Sequence, residues 1–396
     1  MKNTRTARTA TAAILVCAAL SGALATAGAG TPAYAGQLGA DRSTSGVNRL
    51  RAAVDDLHRL GIAGVQGLTR VGNRTTTARA GVADVDTGAP VPANGYFRMG
   101  SNTKTFVAVT LLQLVGEKRL SLEDTVERWL PGVVSGNGND GGRITVRQLL
   151  QHTSGIAEYL DDVAVLRSAD TFRAHRFDHY DAEDLVALAM AHPPLFAPGT
   201  SWSYSNTNYA LVGMIIAKVT GRSWADEVRA RILVPLNLRQ TYAPGDDPTV
   251  RGPHAQGYNR FVPDGPLVDT TEFNPTIADA AGALVSTPTD LARFWQALQG
   301  GRLLAPAQMA QTRRTVAAPD IAALMPGARY GLGIMRADTS CGVYWAHPGD
   351  TPGSSTVNGI SPDGERVVVL SLTTQTGNPV PVYQRTTRLL DEILCS

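Results

Sequence analysis

Hydrophobic positions along the chain fall into three regimes. Between 46 and 61, Val47, Leu50, Val54, Leu57 and Leu60 recur at helical spacing and stop at Gly61. Residues 65–85 then turn to Val- and Thr-rich strands around a Gly72-Asn73 hairpin turn. A dense apolar run follows in Phe106, Val107, Val109, Leu111, Leu112, Leu114 and Val115, ended by Gly116, and predicts one buried helix. Helical spacing continues through 121–130, 145–151, 181–191, 208–220 and 223–234. The Gly- and Asn-rich tract 135–142 and the Arg/His-rich tract 167–180 read as surface excursions. From about 330 the strand pattern returns at 332–335, 343–346, 354–360 and 367–373, with Pro362-Asp363-Gly364 as a turn, and a helix at 381–394 closes the chain.

Strands at both ends with helices between them predict an α+β fold. An antiparallel sheet is assembled from the two termini and flanked by terminal helices, with a mainly helical lobe inserted. The sheet lobe is expected at about 46–100 and 280–396, and the helical lobe at about 116–275. A site is expected in the cleft between them.

The first 35 residues stand apart. Lys2, Arg5 and Arg8 precede an apolar stretch from Ala12 to Leu20, and Ala33-Tyr34-Ala35 has the pattern of a cleavage site, so a signal peptide over 1–35 and a secreted mature chain over 36–396 are expected. No other segment approaches the roughly 18 uninterrupted apolar residues of a membrane span, and no membrane anchor is expected. Losing the leader removes three basic and no acidic residues, so 36 basic against 34 acidic become 33 against 34. That near-neutral balance gives no footprint for nucleic acid. The two cysteines left, Cys341 and Cys395, are expected to pair in an exported protein.

Chemistry concentrates at three places. Ser101 is followed three residues later by Lys104 at the start of the apolar helix, a spacing that puts both side chains on one face. Ser-x-x-Lys is a nucleophile and base pairing; a serine acting only as a helix cap is the alternative. The chain holds four lysines against thirty-two arginines. A general base must be able to deprotonate, which arginine cannot do. Tyr204 and Asn206, two apart in an extended stretch, can present a phenol and an amide together. His347-Pro348-Gly349-Asp350 ends an apolar strand, where the glycine permits close backbone approach. No G-x-S-x-G elbow, dinucleotide fingerprint or Walker loop occurs, and His175 and His179 lack a third metal ligand at a convincing spacing.

Taken in order, Ser101-x-x-Lys104, Tyr204-x-Asn206 and His347-x-Gly349 resemble the signature of the penicillin-recognising serine enzymes. Supporting stretches are Val109–Val115, Arg143–Leu150, His152-Thr153-Ser154-Gly155 and Tyr330-Gly331-Leu332-Gly333. Within that superfamily the chain looks most like secreted actinomycete-type D-alanyl-D-alanine carboxypeptidases, relatives of the class C β-lactamases. The resemblance spans roughly Val65 to Cys395 and implies a β-lactamase/transpeptidase-like fold. It implies a Ser101 acyl-enzyme, with Lys104 and Tyr204 shuttling the proton and Asn206 binding the substrate amide. The N–H groups of Ser101 and Asp350 would form the oxyanion hole, and His347 and Gly349 would line the far wall. No cofactor and no metal are implied. Peptidoglycan stem peptides, small D-amino-acid peptides or esters, and β-lactams are the implied ligands of a monomer.

The pattern departs from the carboxypeptidases where these hold the substrate's free carboxylate. The aligned arginine is Met335, the neighbouring positions are Pro348 and Asp350, and a pocket tryptophan aligns with Ile277. Arg336 is one residue away, on the opposite face of a strand. D-alanyl-D-alanine carboxypeptidase is the leading expectation. An esterase, a D-aminopeptidase or amidase, or a β-lactamase on the same fold is the alternative, and a non-catalytic sensor of wall fragments or penicillin a more distant one.

Overall fold

The computed structural model describes residues 42–322 and 324–396; the expected leader and the segment after it to 41 lie outside them. Helix α1 (Arg42–Arg59) leads into the hairpin β1 (Gly64–Val71) and β2 (Arg74–Gly81). Helices α2 (Thr103–Gly116) and α3 (Thr207–Thr220) follow, then α4 (Pro288–Gln299). The chain finishes with β3 (Met335–Thr339), β4 (Gly342–Ala346), β5 (Gly349–Thr351), β6 (Ser354–Ile360), β7 (Arg366–Leu372) and helix α5 (Val380–Leu394).

The main sheet runs β2-β1-β7-β6-β4-β3, extended by the short pairs at Arg329–Tyr330 and Val316–Ala317, with β5 paired to β6. All its pairings are antiparallel. Strands from the two ends of the sequence meet at β1 and β7, in a register that sets Val65 opposite Leu372. The apolar run of β7 is continuous because both faces of the sheet are covered. Val368, Leu370 and Leu372 pack with Leu50, Val54 and Leu57 of α1 and Leu389, Leu390 and Ile393 of α5. Val367 and Val369, one position out of phase, join the other core with Phe294, Trp295 and Leu298 of α4.

Helix α2 is apolar on every side and correspondingly buried from Thr103 to Leu112. Its Phe106 stacks on Phe294 with centroids 3.6 Å apart, which ties the helix that follows Ser101 to α4.

Several local expectations need correction. Over 121–130 only Val126–Trp129 is helical. Asp124 turns back to accept from the Ser121 N–H, and such local bonds compete with a helix. The tract 167–180 contains a helix, Ala169–His175, opened by a capping box between Ser168 and Thr171. At 223–234 an α-helix ends at Val228 and continues as a π turn over Arg229–Leu233. The strand expected at 332–335 begins only at Met335. Gly333 sits at φ +74° and an added Cβ would lie 2.3 Å from the Ala108 Cβ, so this turn is pressed against α2.

Cys341, in the β3–β4 turn, is bonded to Cys395 at the end of α5, a separation of 54 residues. Closing such a loop contributes about 4 kcal/mol in the chain-entropy model. Thiol titration of the mature chain, denatured without reductant, should therefore find no free thiol. Reduction should lower unfolding free energy by up to that amount, and two free thiols would contradict the pairing.

Candidate active site

The position of Ser101 is set by two glycines. Ser101 lies on a one-turn 3-10 helix, Gly100–Asn102, directly before α2, and not at a helix cap: that place belongs to Asn102. Gly100 has φ +52°, and an added Cβ would come within 2.6 Å of the backbone N and O of Asp350. Across the gap, a Cβ on Gly349 would fall 2.1 Å from Met99 O and 2.7 Å from Ser101 N. Edge strand β5 can run beside the Ser101 turn only because neither residue has a side chain. Asn102, fully buried, accepts from Asn358 Nδ2, and Asn358 Oδ1 accepts from the His347 N–H at 2.9 Å. The turn and the sheet are thus held by one pair of amides.

Lys104 is fully buried. Its Nζ is 3.0 Å from Ser101 Oγ, 2.6 Å from Asn206 Oδ1 and 2.8 Å from Ala281 O. Burial pulls its pKa down to about 7, against the opposing pull of the Glu158 carboxylate. A neutral amine has two N–H groups and one lone pair. It can donate to Asn206 and Ala281 and accept the Ser101 hydroxyl proton, so every polar atom of the trio is satisfied without a buried ammonium.

Tyr204 packs face-on against Lys104, with Nζ 4.8 Å from the ring centroid. The ring is braced by His152 at 4.3 Å and Tyr330 at 6.3 Å between centroids. His152 Nδ1 lies 3.2 Å from both the Ser205 N–H and Asn208 Nδ2 and accepts from them, and burial keeps the imidazole neutral by lowering its pKa. His347 is also buried, with its pKa lowered to about 3 by burial first and by Lys104 second. Its Nδ1 lies 2.7 Å from Pro348 O and its Nε2 2.8 Å from Tyr330 Oη. The carbonyl can only accept, so Nδ1 carries the proton and Nε2 accepts from the tyrosine.

Two carboxylates flank this centre. Glu158 was not singled out from the sequence, although it is the acidic residue inside the otherwise apolar Ile156–Leu160. Its Oε2 accepts from the N–H and Nδ2 of Asn206, at 2.7 and 2.9 Å. Burial raises its pKa, and the bonds from Asn206 and Leu160 oppose that. Asp350 Oδ1 accepts from Ser355 Oγ at 2.5 Å and Gln375 Nε2 at 3.0 Å, while burial raises its pKa. Arg98 is 6% exposed, lies over the Phe273 ring, and donates to the carbonyls of Pro248, Thr271 and Phe273.

Two pockets open on either side of Ser101, sharing Tyr204 and Asp350. The larger, about 650 Å³, includes Asn206 and is walled by Leu160, Leu166, Phe273 and Ile277. Tyr159 Oη holds this wall by donating to Ile277 O at 2.7 Å. The smaller is bordered by His347, Gly349 and Met335. Arg336 faces away and pairs with Asp338 at 2.9 Å. The histidines of the 167–180 tract are far from this chemistry in role: His175 pairs with Asp178, and His179 with Asp181 and Asp246. No described helix is long and apolar enough to cross a membrane.

The arrangement matches known proteins over most of its length. The D-stereospecific amidohydrolase of Streptomyces sp. superposes with a TM-score of 0.79 at 39% identity, covering 86% of this chain and 97% of that one. The D-amino acid amidase of Ochrobactrum anthropi SV3 gives a TM-score of 0.76 at 27% identity, covering 88% and 97%. A penicillin-binding protein of Bacillus subtilis (strain 168) is 29% identical over 291 residues, 70% of this chain but 60% of its own length, so the chain spans well under two thirds of that relative. The model of the family described as Beta-lactamase matches residues 49–392. With that match spanning nearly the whole described chain, the protein belongs to the β-lactamase family of serine hydrolases, the superfamily that includes the penicillin-binding enzymes.

Proposed function

We propose that the chain is an exported serine amidase that hydrolyses D-aminoacyl amides through a Ser101 acyl-enzyme. Lys104, as a neutral amine, takes the Ser101 proton while Oγ attacks the carbonyl, and Tyr204 passes a proton to the departing nitrogen. The N–H groups of Ser101 and Asp350, brought side by side at Gly100 and Gly349, receive the developing oxyanion, a contribution of roughly 2.7–4 kcal/mol per donor. Water then reverses the sequence and frees the acid.

One observation carries the choice of substrate: Met335 and Asp350 line the smaller pocket beside Ser101, where a carboxypeptidase needs a cation, and no lysine or arginine is among that lining. A missing arginine partner removes about 1.5–3 kcal/mol of charged hydrogen bonding to a free C-terminus. Met335 offers none, and Arg336 is turned away and paired. The similarity to a D-stereospecific amidohydrolase and a D-amino acid amidase supports D-aminoacyl amides. The alternative amidase reading therefore replaces the carboxypeptidase as the leading one. Export is supported by the leader pattern and the cysteine pair.

Ser101→Ala should abolish labelling by a fluorophosphonate without changing the fold. Lys104→Arg keeps the charge but cannot accept a proton, and activity should fall by about 10²–10⁴-fold, as for a lost general base. D-phenylalaninamide should be hydrolysed faster than both its L-enantiomer and diacetyl-Lys-D-Ala-D-Ala. Faster cleavage of the free-acid peptide would restore the carboxypeptidase assignment.

A further inference from the structure

The smaller pocket has a chemistry of its own. It opens to solvent beside Ser101, and its walls beyond the catalytic groups are Ile321, Leu324, Met325, Met335, Pro348 and Tyr383. Ile321, Met325 and Met335 are themselves 4%, 8% and 3% exposed, so they are packed walls and not loose surface side chains. Met335 faces inward because β3 alternates, which sends Arg336 to the other side. No lysine or arginine is among the residues described as lining it, and His347, its one imidazole, is held neutral. Asp350 stands at the junction with the larger pocket, one oxygen fixed by Ser355 and Gln375.

So apolar a lining has nothing to recognise in ammonia. It is too apolar for a terminal carboxylate, which Asp350 would also repel. Methionine walls adapt to an apolar guest of variable shape.

We infer that the leaving group is an apolar amine larger than ammonia. The substrate bond is then a secondary amide, such as the peptide bond from a D-aminoacyl residue to an apolar residue whose carboxyl is blocked or continues into chain. The inference rests on the reading of the larger pocket as the acyl site and names the other half of the substrate. The step is a hydrolysis. The Oγ–C bond forms as the C–N bond breaks, and the Ser101 proton ends on the leaving amine. Water then cleaves the ester, restoring the Ser101 hydroxyl and releasing the carboxylic acid.

The test holds the acyl half constant. In the mature chain, kcat/KM for D-phenylalanine N-benzylamide should exceed that for D-phenylalaninamide by roughly 10–100-fold, the range for burying one apolar group of that size. Met335→Ser should lower this ratio several-fold through the benzylamide. Ile321→Ser, on a different segment, should do the same and serves if the first variant fails to fold. A wild-type ratio near one, or a ratio unmoved in both variants, overturns the inference. Loss of the preference for D over L acyl groups would count against the acyl reading alone, since the leaving-group ratio can be taken on whichever acyl series is hydrolysed.

Discussion

The site depends on the burial of a single amine. Lys104 is enclosed on a helix that is apolar on all sides, and an ionised ammonium there would lose its hydration with no carboxylate in direct contact. The protein meets this with carbonyl acceptors on two of its hydrogens and the Ser101 hydroxyl at the third position. The same arrangement that makes the amine tolerable in the core suits it to the base role proposed for it. Glu158 reaches it only through the Asn206 amide, near enough to moderate the shift and too far to hold the proton in an ion pair.

Around that amine the two parts of the fold are brought together by contacts that leave no slack. Gly100 and Gly349 let the edge strand run against the nucleophile's turn, and the Asn102–Asn358 amides carry the link on to His347. His152 and His347, both neutral, brace Tyr204 and Tyr330 without adding a second positive charge beside Lys104. A cation at either histidine would depress the lysine further, and at His347 it would turn the Nε2 acceptor of the Tyr330 hydroxyl into a donor.

Much of this was legible in the sequence because it is local. The Ser101-x-x-Lys104 spacing, the buried run from Phe106 and the continuous apolar run of β7 are each patterns within one element. What escaped was either tertiary or masked by composition. Helix α4 is the exception, since it was legible too: Thr287 caps Asp290 with Pro288 in the first turn, and Leu291, Phe294, Trp295 and Leu298 form its apolar stripe. Glu158 gains its place only when the loop after His152 folds against Asn206, 48 residues on. The same is true of Gln375, which fixes Asp350 from 25 residues away. The departure at Met335 and Asp350 was visible, yet its consequence depended on which way Arg336 points, and that is a matter of strand register.

Lysine is scarce enough for the central claim to be measured atom by atom. Residues 36–396 contain Lys104, Lys118 and Lys218 and no other lysine. Labelling with [ε-13C]lysine should give three signals whose pH titrations are followed by NMR. The signal that disappears in Lys104→Arg should titrate near 7. If that signal instead titrates at the ordinary lysine value of about 10.4, Lys104 is an ammonium at working pH and cannot be the base that activates Ser101.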